Sequence, residues 1–387
     1  KVYDAQEETW EYKSRREKKV FKSIIPEELR WRNWAVDNAD GEALTGDALL
    51  EFVNARLFPT LKALPVNEDT PRGKTIVKEI FSDLNQYMKN GILLRQVVNV
   101  IDEIDFSDVE DRHTFGDIYE GILKDLQSAG NAGEFYTPRA LTDFMVEILN
   151  PQLGESFGDF TSGTGGFLTS ALNHLYKQVK TTNDVKLFQT AVEWKPLPYL
   201  LSIANLLVHD IEAPNIIHCD SLGTRVGDFK ECDKVNVIAM NPPYGGSTEA
   251  SVKNNFPSDM RSSETADLFM VLIMYRLKAN GRAAVIVPDG FLFGVDGAKL
   301  AIKTKLLKDF NLHTIIRLPG SIFSPYTSIA TNILFFNNER VEDAPDGYST
   351  KETWFYRLDM PDGYKHFSKT KPMKLEHCQP IKEWWHD

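Results

Sequence analysis

The spacing of apolar side chains changes character part-way along the chain. Between positions 45 and 130, apolar residues recur every three or four positions, which is the spacing of one face of a helix. One such set is Leu49, Phe52, Val53 and Leu57. Pro59 is expected to end that helix and Gly91 the next one, because proline and glycine interrupt helices. With a further helix over 118–126, the pattern predicts an all-helical domain spanning residues 1–130.

From residue 156 onward, short apolar runs alternate with helical stretches. The seven candidate strands are 156–160, 189–194, 215–219, 235–240, 282–287, 312–318 and 331–336. Strands that alternate with helices predict a mainly parallel sheet, and the last two strands, which no helix separates, are expected to be antiparallel. We therefore predict an α/β domain with a Rossmann-like sheet over 131–345. The tail at 346–387 is expected to pack back on the body.

Composition limits the classes of protein without deciding between them. The chain has 387 residues, 42% hydrophobic and 26% charged, which are ordinary values for a globular protein of about two domains. No apolar run approaches the roughly 20 residues of a membrane span. The three cysteines are too scattered for a disulfide framework or a metal site. A cytoplasmic protein without a signal peptide is expected, and the absence of an initiator Met leaves room for residues before Lys1.

The first strand of the α/β part runs into a glycine-rich turn and then a helix. Residues 159–168 read D-F-T-S-G-T-G-G-F-L. Glycines there permit a tight turn and a close approach of a ligand to the backbone. A dinucleotide fingerprint would need glycine where Leu168 stands, so a pyrophosphate is a poorer candidate than another ligand.

Acidic residues end three successive predicted strands, at Asp159, Glu193 and Asp220. A carboxylate at Glu193 could accept hydrogen bonds from both hydroxyls of a ribose, and one at Asp220 could accept from the amino group of an adenine. Three acids in register leave the pocket negative, which disfavours a phosphate-rich cofactor and suits one that carries positive charge.

The tetrad Asn241-Pro242-Pro243-Tyr244 follows the predicted strand 235–240 directly. Its prolines cannot continue a central strand, so an amide, two stiff carbonyls and a phenol stand at the strand's carboxyl end, where parallel sheets bind ligands. The Asn241 oxygen and the Pro242 carbonyl could accept both protons of an aromatic amino group and localise its lone pair for methylation. Tyr244 offers a face on which the ring can stack. Adenine and a glutamine side chain both fit these acceptors.

Several segments together resemble one family. Residues 133–139 (G-E-F-Y-T-P-R) resemble its G-Q-Y-F-T-P-R, and 159–168 resemble its D-P-A-C-G-T-G-G-F-L. Residues 281–290 (G-R-A-A-V-I-V-P-D-G), 313–319 (H-T-I-I-R-L-P) and 117–123 (D-I-Y-E-G-I-L) are also similar. The chain resembles the modification (M) subunit of a type I restriction–modification system. That subunit is an S-adenosylmethionine-dependent adenine-N6 DNA methyltransferase.

The resemblance implies S-adenosyl-L-methionine as cofactor and no metal. The implied cofactor-binding residues are Tyr136, Thr137, Pro138, Asp159, Gly163, Thr164, Gly165, Gly166, Phe167, Glu193, Asp220 and Asn241. The implied catalytic residues are Asn241, Pro242 and Tyr244. The target base is expected to contact Tyr244 and to be backed by Phe323 or Tyr326, in a loop about one residue longer than the family pattern.

The resemblance also explains the net charge of −11, which argues against a stand-alone nucleic-acid binder. It implies a bacterial or archaeal protein whose partners are DNA, a specificity subunit that reads the DNA sequence, a second methyltransferase subunit and a restriction subunit. Two departures stand out. Phe160-Thr161-Ser162 replaces Pro-Ala-Cys in the glycine turn, and the polar segment 245–267 is expected to be mobile and to become ordered on DNA.

Three alternatives remain at this point. A methyltransferase acting on a glutamine amide of a protein would share the tetrad, but the helical domain and the Thr137-Pro138 segment disfavour it. A dehydrogenase would use the glycine turn for NAD, which the tetrad and Leu168 disfavour. A catalytically silent scaffold subunit is disfavoured because Asn241 and Tyr244 are intact.

Overall fold

The computed structural model describes the chain except at positions 17, 19, 21–22, 38–40, 69, 71, 107–136, 179–189, 194–195, 209–210, 212–213, 247, 325–326, 342–345, 369 and 387. The chain divides into two compact units. One comprises residues 1–122 and 203–214, and the other comprises 123–202 and 215–387. Among the described residues, every helix falls short of the length and apolar character that a bilayer span requires.

The first unit is helical in its described part. Its helices are Val2–Arg16, Trp31–Trp34, Gly46–Glu51, Phe58–Lys62, Arg72–Asp83 and Gly91–Asp102, with a π-helical segment at Phe52–Leu57 and a 3₁₀ turn at Glu27–Leu29. The helix predicted over 118–126 lies outside the described residues. The apolar set predicted to share one helical face is largely buried, since Leu49, Val53 and Leu57 are all under 10% exposed.

Two predicted helix ends in this unit are wrong. Helical structure continues past Pro59. This proline lies in the first turn of Phe58–Lys62, where its missing N–H costs the helix no hydrogen bond. Gly91 begins a helix instead of ending one, because the Asn90 side chain caps the start and accepts from the next two backbone amides. A Cβ at Gly91 would lie 1.8 Å from the Gly46 carbonyl oxygen, so this close helix contact requires glycine.

The second unit is built on one mixed sheet. Its strands in the described residues are β1 (Phe157–Asp159), β2 (Thr190–Glu193), β3 (Ile216–His218), β4 (Val235–Met240), β5 (Leu277–Pro288), β6 (Asn311–Arg317), β7 (Thr331–Asn337) and β8 (Trp354–Arg357). Their order is β3-β2-β1-β4-β5-β7-β6-β8. β7 runs antiparallel to both its neighbours, and the other pairs are parallel. The prediction of a mainly parallel sheet with one antiparallel strand is confirmed.

Helices flank the sheet strands along the chain. They are Arg139–Leu149, Gly166–Tyr176, Pro196–Val208, Ala250–Lys253, Thr265–Arg276, Asp289–Phe293, Gly297–Asp309 and Gln379–His386. The helix Thr265–Arg276 is buried along nearly its whole length and packs with β4 and β5 in the main apolar core. A helix buried on all sides has no polar face, which explains its almost continuous apolar sequence.

Two parts of this unit contain helices or strands that the sequence pattern did not predict. The segment 245–267 contains the short helix Ala250–Lys253, and it places Phe256 and Met260 in the core. The tail supplies β8, which pairs with β6 at the sheet edge, and a last helix.

Candidate active site

The glycine turn and the tetrad lie side by side at one edge of the sheet. β1 and β4 are parallel neighbours, with Phe157 opposite Val237 and Gly158 opposite Ile238. Asp159 therefore ends β1 close to the point where β4 ends and the tetrad begins. Because carboxyl ends of parallel strands share one edge, two motifs that are 80 residues apart in sequence form one site.

The glycine turn adopts a backbone that only glycine adopts easily. Gly163 and Gly165 have φ angles of +52° and +80°. The Gly165 amide donates to the Ser162 carbonyl at 2.7 Å, and the helix Gly166–Tyr176 starts immediately afterwards. A Cβ on Gly165 would lie 2.8 Å from the Ser202 hydroxyl oxygen. Thr164 and Phe167 are buried beside this turn.

Hydrogen bonds tie the turn to the tetrad. The buried Asp159 carboxylate accepts from the Thr161 amide at 3.0 Å, which holds the start of the turn. The Thr161 hydroxyl then donates to the backbone carbonyl of Asn241 at 3.3 Å. Thr161 is one of the residues that depart from the family pattern. The alanine of that pattern has no hydroxyl and could not make this bond.

The end of β3 is also joined to the glycine turn. Ser221 donates its hydroxyl to the Phe160 carbonyl at 2.6 Å. One oxygen of Asp220 accepts from the Leu222 amide at 2.9 Å, which fixes the carboxylate and leaves its other oxygen for a ligand. Glu193 ends β2, and its backbone is in register with His218 of β3. Asp159 and Glu193 thus end the adjacent strands β1 and β2, and Asp220 follows the end of the next strand, β3, by two residues.

Two side chains hold the Asn241 amide. Its nitrogen donates to the Thr137 hydroxyl oxygen at 3.1 Å, and its oxygen accepts from the Tyr244 hydroxyl. Thr137 is followed by Pro138, which precedes the helix Arg139–Leu149. Tyr136 lies outside the described residues. The structure thus brings the Thr-Pro segment to the tetrad across 104 positions of sequence.

Aromatic side chains pack behind the tetrad. Tyr244 is 9% exposed, and burial raises the pKa of its hydroxyl well above the usual range, so it remains a proton donor. Its ring meets the buried Phe323 ring edge to face, at 6.5 Å between centroids and 72° between planes. Pro242 is buried. Of the two aromatic candidates, Phe323 lies against Tyr244, and Tyr326 lies outside the described residues.

The turn has room and polar groups for a bound ligand. The Ser162 hydroxyl is buried and has no hydrogen-bond partner among the described residues. A Cβ on Gly163 would have the Thr161 carbonyl oxygen, at 3.9 Å, as its nearest neighbour. A buried hydroxyl beside an open glycine fits a ligand with polar atoms at this position. The described residues contain no group of three or more His, Cys, Asp or Glu that could hold a metal ion.

Comparison with known proteins decides between the remaining enzyme classes. The profile of the N-6 DNA methylase family matches residues 110–387. The chain belongs to the N-6 DNA methylase family. The match covers the glycine turn, the tetrad and every strand of the sheet. The predicted family and the predicted adenine-N6 DNA methyltransferase class are confirmed, and membership argues against the glutamine-modifying and NAD-dependent alternatives.

Individual relatives of this N-6 DNA methylase place it among type I systems. The chain is 52% identical to the type I restriction enzyme EcoEI methylase subunit of Escherichia coli, over 100% of the chain and 76% of that protein. It is 30% identical to the EcoKI methylase subunit of E. coli K12, over 92% of the chain and 66% of the relative. A crystal structure of a type I modification subunit from Vibrio vulnificus YJ016 superimposes with a TM-score of 0.85 at 40% identity, over 100% and 82% of the two chains.

One departure from the N-6 DNA methylase pattern has a structural reason. Phe160 stands where the family has proline, and its buried ring lies 4.3 Å from the Arg276 guanidinium carbon. The ring of Phe229 also packs against Arg276, at 4.6 Å, so the cation contacts two aromatic rings. Burial lowers the pKa of Arg276. The side chain of Phe160 thus points into the core. Its backbone carbonyl remains at the site, where it accepts a hydrogen bond from Ser221.

Proposed function

We propose that this chain transfers a methyl group from S-adenosyl-L-methionine to N6 of an adenine base that is turned out of DNA. The observation that carries the proposal is the position of the Asn241 amide, held by Thr137 and Tyr244 beside the glycine turn. The family supports adenine in DNA as the substrate, since it is the N-6 DNA methylase family.

The glycine turn and the strand-end acids are the proposed cofactor site. When bound, S-adenosylmethionine supplies a methyl group carried by a positively charged sulfur. Ser162 would donate its unpartnered hydroxyl to the cofactor, Glu193 would accept from the ribose hydroxyls, and Asp220 would accept from the adenine amino group. Thr137 and Pro138 would border the methionine end, because Thr137 contacts Asn241 directly.

The tetrad is the proposed catalytic group. The nitrogen of an adenine amino group is a weak nucleophile because its lone pair is delocalised into the ring. The Asn241 oxygen and the Pro242 carbonyl would accept its two hydrogens and so localise the lone pair on nitrogen. A neutral acceptor pair avoids burying a charge, and the prolines fix the direction of the carbonyl. Tyr244 would stack on the flipped base, and Phe323 would support Tyr244.

The partners follow from the type I relatives and from the charge of the chain. A net charge of −11 is poorly suited to binding DNA alone. We propose that a specificity subunit provides the DNA grip and reads the sequence, that a second methyltransferase subunit completes the modification enzyme, and that a restriction subunit joins the larger complex. The proposed location is the cytoplasm of a bacterium or archaeon.

The test is methyl transfer by the purified chain with its specificity subunit, labelled S-adenosylmethionine and cognate DNA. We expect N6-methyladenine, and its absence with bound cofactor would contradict the proposal and favour a silent scaffold. Asn241→Ala should reduce transfer about 10²–10³-fold, as loss of a key transition-state hydrogen bond does, with cofactor affinity nearly unchanged. Glu193→Ala should weaken cofactor binding, whereas Glu231→Ala, at an exposed acid, should not.

A further inference from the structure

One carboxylate outside the tetrad binds side chains from both ends of the loop that carries Phe323. Asp289, directly after β5, accepts from the two terminal nitrogens of Arg317 at 2.6 and 2.7 Å. It also accepts from the Asn332 side-chain amide at 2.8 Å. Arg317 is the last residue of β6, and Asn332 is the second residue of β7. Asp289 thus connects the two ends of the loop 318–330, of which residues 318–324 and 327–330 are described.

Backbone hydrogen bonds close the same loop at its base. The Asp289 amide donates to the Ala330 carbonyl, and the Leu318 amide donates to the Thr331 carbonyl, each at 3.0 Å. Because β7 lies between β5 and β6, the loop leaves the sheet and returns to it next to the end of β5. Asp289 therefore binds the loop itself through its backbone amide, and it binds the two strand residues that flank the loop through its side chain.

The middle of the loop contacts the catalytic tetrad. Phe323 is 1% exposed and meets the ring of Tyr244, which in turn donates to Asn241. A continuous series of contacts thus runs from Asp289 through the loop to the proposed methyl acceptor site. A shift of the loop would move the ring that supports Tyr244.

The ion pair is better suited to orientation than to global stability. The side chains of Arg317 and Asp289 are 38% and 30% exposed, and exposed pairs contribute little to folding. The two parallel hydrogen bonds of an arginine on a carboxylate nevertheless impose a fixed geometry. The Arg317 guanidinium lowers the pKa of Asp289, so the carboxylate stays charged at neutral pH.

We propose that Asp289 is a positioning residue for methyl transfer: through Arg317 and Asn332 it fixes the loop 318–330, so that Phe323 supports Tyr244 against the flipped base. The role of the base rests on the proposed function, whereas the fixing of the loop can be measured without it.

The chain contains a matched control on the same strand. Arg282, in the middle of β5, binds both oxygens of Glu155 at 2.7 Å each, with side chains that are 25% and 24% exposed. Glu155→Gln and Asp289→Asn therefore each remove one charge from a similar pair. Only the second variant affects a pair that connects the ends of the Phe323 loop.

Hydrogen–deuterium exchange of the full chain tests the first step. We expect amides of the loop 318–330 to exchange about tenfold faster in Asp289→Asn, while the glycine turn is unchanged, because a local opening exposes only local amides. Arg317→Lys should have a smaller effect in the same direction, since lysine keeps the charge but cannot form the two parallel hydrogen bonds to the carboxylate. Unchanged exchange in the loop, or an equal increase in Glu155→Gln, would overturn the proposal.

Steady-state methyl transfer in complex with the specificity subunit tests the second step. Asp289→Asn should raise the KM for DNA or lower kcat by about tenfold, with the Kd for S-adenosylmethionine unchanged. Asp289→Glu should recover part of the loss, and Glu155→Gln should match the wild type. A loosened loop with wild-type kinetics would refute the positioning role. If the wild type transfers no methyl group, the proposed function fails, and the exchange result alone decides whether Asp289 fixes the loop.

Discussion

The hydroxyl of Tyr244 donates a hydrogen bond to the side-chain oxygen of Asn241. That oxygen is the acceptor that the proposed mechanism assigns to the amino group of the target base. Burial raises the pKa of Tyr244, so the hydroxyl keeps its proton and remains a donor. An amide oxygen has two lone pairs, so the tyrosine hydroxyl takes one of the two positions at which this acceptor could bind the amino group of a base.

The first prediction concerns this contact. Tyr244→Phe keeps the ring and frees the Asn241 oxygen, so the KM for DNA should fall about 2- to 12-fold, which corresponds to one neutral hydrogen bond. Tyr244→Ala should raise it roughly 5- to 150-fold because the stacking ring is lost. The measurement is methyl transfer against DNA concentration, with Tyr348→Phe as a control in the same unit. A KM for Tyr244→Phe at or above the wild-type value would show that the hydroxyl does not compete with the base.

The second prediction concerns Thr161, whose hydroxyl binds the Asn241 carbonyl at 3.3 Å. Thr161→Val removes the hydroxyl at nearly constant volume, and kcat should fall about 2- to 12-fold, the value of one hydrogen bond. Cofactor affinity should stay the same, since the glycines and Asp159 are untouched. Thr161→Ser should restore kcat. Thr353→Val, which removes a hydroxyl bonded to the Leu312 carbonyl, is the control.

Strong local signals in the sequence were enough to predict the sheet. All seven predicted strands are present, because each is an apolar run bounded by turn residues, as at β4 before Pro242 and Pro243. β8 was missed because it lies at the sheet edge, where Trp354 and Phe355 are 60% and 71% exposed. An edge strand with exposed aromatic side chains lacks the pattern of a buried strand.

Isolated residues that reach the core were harder to predict than continuous apolar stretches. Phe256 and Met260 are isolated apolar residues in a polar segment, so no periodic pattern indicated that they reach the core. At the site, the approach of the glycine turn to the tetrad followed from strand order. The contact of Tyr244 with Asn241 did not, because it depends on the side-chain rotamer chosen on folding.

The third prediction concerns the crowding at Gly165. Gly165→Ala should lower the thermal midpoint and weaken cofactor binding, because the φ of +80° is strained for alanine and the added Cβ would lie 2.8 Å from the Ser202 hydroxyl oxygen. Ser202→Ala in the same chain should relieve the clash but not the backbone strain, so the recovery should be partial. Gly227→Ala is the control, since nothing lies within 4 Å of a Cβ there and its φ is ordinary. Full recovery in the double variant would mean that backbone strain is negligible.

The fourth prediction concerns a buried ion pair between the helices Thr265–Arg276 and Gly297–Asp309. Lys299 binds Asp267 at 2.8 Å, with side chains only 11% and 2% exposed, and Ser262 donates to the same carboxylate at 2.5 Å. Lys299→Met leaves the Asp267 charge buried without its cation. It should therefore cost about 3–5 kcal/mol of unfolding free energy, measured by denaturant titration. The double variant Lys299→Met with Asp267→Leu should be less destabilised, because it removes both charges. A double variant as unstable as the single one would contradict this explanation.

The pH dependence of the same pair has a definite sign. Burial alone would lower the pKa of Lys299, but hydrogen bonds to Asp267 and Asp296 and the charges of both carboxylates outweigh burial and raise that pKa above its usual value. A group whose pKa is raised on folding contributes its full stability below the unfolded value and loses it as the pH rises through the folded one. The difference in unfolding free energy between wild type and Lys299→Met should therefore be constant up to about pH 10 and shrink above it. A difference that instead shrinks as the pH falls from 10 to 7 would show that the lysine charge does not stabilise the fold.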